Sequence, residues 1–133
     1  MRFAFKPLPG SGQDVARPAL PVAIVGPAED LEVLCLVDTG SIHNLFAAWV
    51  GETAGVDLAN AEVGRIAVAG SITVARTVTC TMRLGDFTWD APVSFCDPWP
   101  FDFHVAGQLG FLRWFRVVID AADETFEVIP NIT

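Results

Sequence analysis

Val33-Leu34-Cys35-Leu36-Val37-Asp38-Thr39-Gly40-Ser41 is the stretch on which the reading of this chain turns. Five consecutive apolar residues read as a buried strand, and the run ends by delivering one carboxylate into a Thr-Gly turn. Glycine lets the backbone turn tightly because it has no Cβ, and the threonine hydroxyl can fix a neighbouring backbone group or a second copy of the same turn. The arrangement aims Asp38, and the turn reads as catalytic. The triplet alone carries little weight: average composition produces an Asp-Thr/Ser-Gly in roughly a few per cent of chains this long, and most Asp-x-Gly segments are Asx-type turns at strand ends. Its surroundings have to decide.

Working outward, the pattern is mostly strand. Residues 20–25 and 31–37 are aliphatic runs joined by the turn-rich Gly26-Pro27-Ala28-Glu29-Asp30, a hairpin that ends at Asp38. Residues 44–54 carry Leu45, Phe46, Trp49 and Val50 at helical spacing and stop at Gly55, which predicts a short helix packed on the sheet as core. Alternating stretches follow at 63–69, 72–84 and 87–96, with turns at Gly70-Ser71 and Gly85-Asp86. Asp97-Pro98-Trp99-Pro100-Phe101-Asp102-Phe103 breaks the alternation as a loop whose aromatics either fill the underside of a barrel or line a groove. Residues 6–18 have the composition of a mobile segment.

Composition bounds the answer to one domain. At 133 residues the chain has room for a single core. It is 52% hydrophobic with a mean hydropathy of +0.45, yet no uninterrupted apolar run approaches the ~18 residues a bilayer span needs, so a soluble protein is expected. So much apolar content in a short chain suggests a surface covered by a second copy. Residues 1–12 lack the apolar core of a signal peptide, which predicts a cytoplasmic location. Cys35, Cys80 and Cys96 form no Cys-x-x-Cys pair and read as buried thiols. With His43 and His104 the only histidines, at no ligand spacing, neither a metal nor another cofactor is expected. A net charge of −8 with eight scattered basic residues argues against nucleic acid as a partner.

A second segment raises the odds for the turn: Val105-Ala106-Gly107-Gln108-Leu109-Gly110-Phe111-Leu112-Arg113-Trp114-Phe115-Arg116-Val117-Val118-Ile119-Asp120. Together and in this order, the two motifs resemble the single-lobe, retropepsin-like aspartic proteases of bacterial type, over about Arg17 to Pro130. The resemblance implies an all-β fold: a closed β-barrel-like acid protease lobe with one or two short helices, homodimeric. It sets residues 1–16 apart as an N-terminal segment and residues 17–133 as the protease domain. Val105-Ala106-Gly107 would pack beside the catalytic turn, a helix would follow, and Arg116 to Ala121 would form a terminal strand. Arg17 to Val22 looks like the opening strand, and Gly64 to Thr73 lies where the flap hairpin belongs. The chain departs from the family at Ala106, smaller than usual, in a flap with one glycine and no aromatic, and at His43, which reads as a solvated or capped side chain.

Aspartic amide hydrolysis needs two carboxylates close enough to share one proton. No other Asp in this chain is followed by Thr/Ser-Gly, so the partner acid must come from a second copy. On the resemblance, Asp38 serves as both acid and base by symmetry, Thr39 orients the pair, Gly40 lets backbone and substrate approach, and Ser41 hydrogen-bonds the outer carboxylate oxygen. Ile66, Ala67, Val68, Ala69, Gly70 and Ser71 would cover an extended peptide or unfolded-protein substrate, with Val105 and Gly107 adding to its binding site. The apolar candidate walls Ile24, Ile66, Val68, Phe101 and Val105 predict a preference for hydrophobic side chains. Two other classes stay open: a catalytically silent retropepsin-like peptide-binding or dimerisation module, and a small β-barrel carrier for an apolar ligand.

Overall fold

The computed structural model describes residues 1–9 and 15–131. In chain order the elements are β1 (Arg2–Ala4), β2 (Lys6–Pro7), β3 (Ala16–Arg17), β4 (Ala19–Val25), β5 (Asp30–Val37), β6 (Asn44–Ala47), α1 (Ala48–Ala54), β7 (Glu62–Val68), β8 (Ser71–Leu84), β9 (Phe87–Asp97), β10 (His104–Ala106), a single π-helical turn (Gln108–Leu112), β11 (Phe115–Asp120) and β12 (Thr125–Pro130). Strands run β4-β5-β10-β6-β9-β8, and β8 returns to pair with β4, so six strands close a barrel. The expected all-β barrel lobe with one or two short helices is the observed fold.

β8 explains how one barrel acquires a projecting hairpin. It is 14 residues long and antiparallel to β9 from Val74 to Leu84. Its second half pairs with β4 and closes the barrel, whereas its first half pairs with β7 alone on that side. Alternation along its second half buries Cys80, Met82 and Leu84. Leu20, Val22, Ile24, Phe46, Val93, Phe95, Phe111, Phe115, Phe126 and Val128 complete the main core, and all are essentially fully buried. These side chains pack the barrel interior, and Ile24 is a core residue, not a groove wall. A smaller cluster of Leu8, Ala19 and Phe103, joined by Leu34, Leu36 and Phe101, sits on the other face of β4 and β5.

Several boundaries differ from the sequence reading. Of the run 33–37, Cys35 and Val37 are buried and Val33 is half-buried on the main-core face, while Leu34 and Leu36 are half-buried on the alternate face. The helix expected over 44–54 starts only at Ala48; Asn44–Ala47 pairs in parallel with β9 and in antiparallel with β10, so strand pairing overrides the helical spacing of its apolar residues. Trp49, expected as core, is 53% exposed. β12 follows the terminal strand and pairs with both β11 and β1. Within the segment 1–16, β1 joins this outer three-stranded sheet and β2 pairs with β3; residues 10–14 lie outside the described part of the chain.

Candidate active site

Asp38 follows the last residue of β5, where that strand runs parallel to β10. Its N–H donates to Ala106 O at 3.0 Å, continuing the ladder by one bond past the strand end. Its Oδ1 accepts the Gly40 N–H at 2.9 Å, and its carbonyl accepts the Ser41 N–H at 3.2 Å. Asp38 is half-buried while Thr39 and Gly40 are exposed. A carboxylate is thereby presented on a closed turn, with an Asx-type bond stiffening it.

The π-helical turn supports the loop from below. Gln108 Nε2 donates to Thr39 O at 2.7 Å. The N–H groups of Gln108 and Leu109 donate to the carbonyls of Ser41 and Ile42 at 2.8 and 2.9 Å. Gly107 makes this approach possible: a Cβ there would lie 2.3 Å from His43 O and 2.6 Å from Ser41 O, both backbone atoms. Asn44, fully buried, ties the two segments together. Its Oδ1 accepts the Gly107 N–H at 2.8 Å, its Nδ2 donates to Met82 Sδ at 3.2 Å, and its amide packs so closely on Gly110 that a Cβ there would meet it at 2.3 Å. Gly110 O in turn accepts the Trp89 indole N–H at 2.8 Å. Sequence reasoning assigned no role to Asn44 or Gln108. The one available signal was a strongly polar side chain in the apolar stretch after the turn.

The predicted site residues separate into three groups. Asp38, Thr39, Gly40 and Ser41 form the turn itself, but the Ser41 hydroxyl donates to His43 O at 2.7 Å and not to the Asp38 carboxylate. Val105 and Gly107 are buried in and after β10, so within this lobe they support the turn and do not face open space. Ile66 to Ser71 belong to the β7–β8 hairpin, whose two-residue connection is Ala69 (φ 50°) and Gly70 (φ 79°). Both angles suit the hairpin's twist, and the alanine adopts the left-handed region at a cost of about 1 kcal/mol. Ile66 and Val68 are half-buried; Ala67, Ala69, Gly70 and Ser71 are exposed.

His43 connects hairpin and turn. With Ile66, Thr77 and Ser94 it lines a hollow of about 190 Å³ at the foot of β7. Its Nδ1 is buried with no hydrogen-bond partner among the described residues, so that nitrogen is not capped. The polar lining of this hollow is His43, Glu62, Arg65, and Thr77 and Ser94, whose hydroxyls bond one another at 2.7 Å.

Burial sets the state of the remaining reactive groups. It pushes the Cys80 and Cys96 thiols up to about 11 and Cys35 higher still, so all three free cysteines stay protonated and poorly nucleophilic at neutral pH. It pushes His104 down to about 4, and its Nδ1 accepts the Ala47 N–H at 3.1 Å, a neutral imidazole in a structural role. Among the described residues no cluster of three His, Cys, Asp or Glu is arranged to hold a metal ion, and no helix is long and apolar enough to cross a membrane.

Comparison of the fold with solved structures finds the same architecture. The crystal structure of a retropepsin-like aspartic protease from Rickettsia conorii superposes with a TM-score of 0.69 at 14% identity, over 96% of this chain and 88% of that one. The retroviral protease-like domain of Ddi1 from Leishmania major superposes with a TM-score of 0.60 at 16% identity, over 86% and 90%. No protein-family model matches the chain, and no curated protein sequence does. The chain thus has the retropepsin-like fold, as its motifs led one to expect.

Proposed function

We propose that this chain is an aspartic endopeptidase whose active site forms between two copies, each contributing Asp38. The observation that carries the reading is the Asp38–Gly40 turn: a single acid, its backbone N–H held by Ala106 and the next carbonyl, of Thr39, held by Gln108, on a turn whose next two residues are exposed. A lobe with this fold and one such acid is half of a catalytic pair. A two-fold axis through the turn would set two Asp38 carboxylates side by side with the Thr39 hydroxyls at the junction.

Two carboxylates at that distance hold one proton between them. The ionised Asp38 takes a proton from water as its oxygen attacks the peptide carbonyl carbon. The protonated Asp38 gives its proton to the carbonyl oxygen, and a tetrahedral diol results. Collapse of the diol returns a proton to the pair, passes one to the departing amine and breaks the C–N bond. The Asx bond from Gly40 and the support from Gln108 would hold each acid in place through these steps. The β7–β8 hairpin, free of the barrel on its outer side, would lie over an extended substrate and pair with its backbone. The half-buried Ile66 and Val68 would favour apolar substrate side chains, and the hollow at His43 would take a polar one.

Sedimentation equilibrium of the wild type and of Asp38→Asn, run beside digestion of an unfolded casein-like protein across acid to neutral pH, tests this. A dimer in both, with cleavage by the wild type only, is the expected result. Cleavage by Asp38→Asn, or a strictly monomeric wild type that still cleaves, overturns the shared-aspartate reading. A dimer that never cleaves returns the chain to the class of silent binding modules.

A further inference from the structure

We propose that the hollow between α1 and the loop 98–103 binds an organic cation, of the quaternary ammonium or guanidinium class. The hollow measures about 350 Å³ and shares no residue with the Asp38 turn or the flap hairpin, so its occupancy stands apart from the protease reading. Its aromatic walls are Trp49, Trp99 and Phe101. Trp49 is the second residue of α1 and leaves 53% of its surface open. Trp99 is fixed by its indole N–H, which donates to Phe103 O at 2.8 Å, and Phe101 meets it edge to face at 5.6 Å. The rim carries three carboxylates, Glu52, Asp97 and Asp102, all exposed.

No lysine or arginine lines the hollow, and the two ion pairs among the described residues, Arg2–Asp123 and Arg83–Asp30, use other acids. His104 lies behind the wall, its ring 6.0 Å from that of Trp49 and parallel to that of Trp99 at 6.5 Å, and burial keeps it neutral at ordinary pH. The hollow therefore brings three carboxylates beside three aromatic side chains with no built-in counter-charge. An anion is repelled from such a place, and a neutral apolar ligand gains little from the carboxylates. A soft, weakly hydrated cation gains from both, through the ring quadrupoles and the charges. The same three carboxylates do not come together as a metal-holding cluster, which favours a large cation over a divalent ion.

The test is nitrogen-15 NMR of the four indole N–H signals during titration with choline, with N-acetyl-arginine methylamide, and with 3,3-dimethyl-1-butanol, the neutral isostere of choline. The expected result is a saturable shift of the Trp49 and Trp99 signals with at least one cation, weakened by added salt, with Trp89 and Trp114 unmoved and no saturable response to the alcohol. Tighter binding of choline points to a free or methylated ammonium, and tighter binding of the arginine derivative to a side chain of a polypeptide; either supports the site. Trp49→Ala, a change at an exposed position, and the triple variant Glu52→Gln/Asp97→Asn/Asp102→Asn should each weaken binding at least tenfold. Absence of a saturable shift with both cations, an equal response to the alcohol, or unchanged binding in both variants overturns the proposal.

Discussion

The Asp38 turn and the β7–β8 hairpin are both short connections at the edge of the same barrel, and they are built on opposite principles. The turn is held from below at four backbone groups: Asp38 by Ala106, Thr39 and Ser41 by Gln108, Ile42 by Leu109, with Asn44 anchoring Gly107 beneath. The hairpin is held by its own ladder and by β9 at its base, and its tip is exposed. Even the glycines differ. A Cβ at Gly107 has nowhere to go, while one at Gly64 of the hairpin meets nothing within 4 Å. Reacting groups need fixed geometry and covers need freedom, so the contrast matches a division of labour between chemistry and access.

The largest effect separates the two regions by function. Asp38→Asn should lower peptide cleavage roughly a thousandfold or more while leaving the thermal transition in place, because the amide keeps the shape and the Asx bond but can neither take nor share the proton. Gly107→Ala against Gly64→Ala tests the difference in packing directly. Urea denaturation should show a loss of about 3 kcal/mol or outright failure to fold for the first, since backbone carbonyls cannot yield to the new methyl, and less than about 0.5 kcal/mol for the second. Equal losses would erase the contrast.

An acid titration sharpens it. His104, in the strand that supports the turn, has a folded-state value near 4, below the 6.5 of the ordinary imidazole. The unfolded chain therefore binds the proton more readily, and the stability this neutral histidine allows is fully present above pH 6.5 and is lost as pH falls toward 4, by at most about 3 kcal/mol. His104→Gln, which keeps an acceptor for the Ala47 N–H, should flatten the stability profile across that window. Hydrogen exchange in the wild type should rise there at β10 and the turn before it rises in the hairpin. The smallest effect lies at the tip of the β7–β8 hairpin: Ala69→Gly relieves the left-handed strain and should change stability by less than about 1 kcal/mol, with a larger change in KM than in kcat if the hairpin covers substrate as proposed.

Much of this was legible one residue at a time. The hairpin 20–37, the long alternation of 72–84 and the turn at Gly70 are signalled by local period and turn chemistry, which act over a few residues. Asn44–Ala47 was not legible, since Leu45 and Phe46 followed by Trp49 and Val50 satisfy helical spacing equally well; pairing with β9 and β10, both far along the chain, made the first four residues a strand. Val105 and Gly107 were named by motif, and their burial within the lobe was not legible, since a motif names neighbours without saying which side of a turn they occupy. The hollow at Trp49 went unread for a related reason: a tryptophan at core spacing gives no sign that it will face outward.

The sequence by itself determined that Asp38 ends a buried strand in a Thr-Gly turn, that no second such turn exists in the chain, and that the architecture is a β lobe. These follow from side-chain period, from the steric freedom of glycine and from counting, none of which requires knowing what lies nearby. Tertiary structure alone decided that Asn44 and Gln108 hold that turn, that the Ser41 hydroxyl is spent on His43 O, and that Trp49, Trp99 and three carboxylates surround one hollow. Each of those joins segments tens of residues apart, or depends on which way a side chain leaves the backbone, and barrel closure sets both.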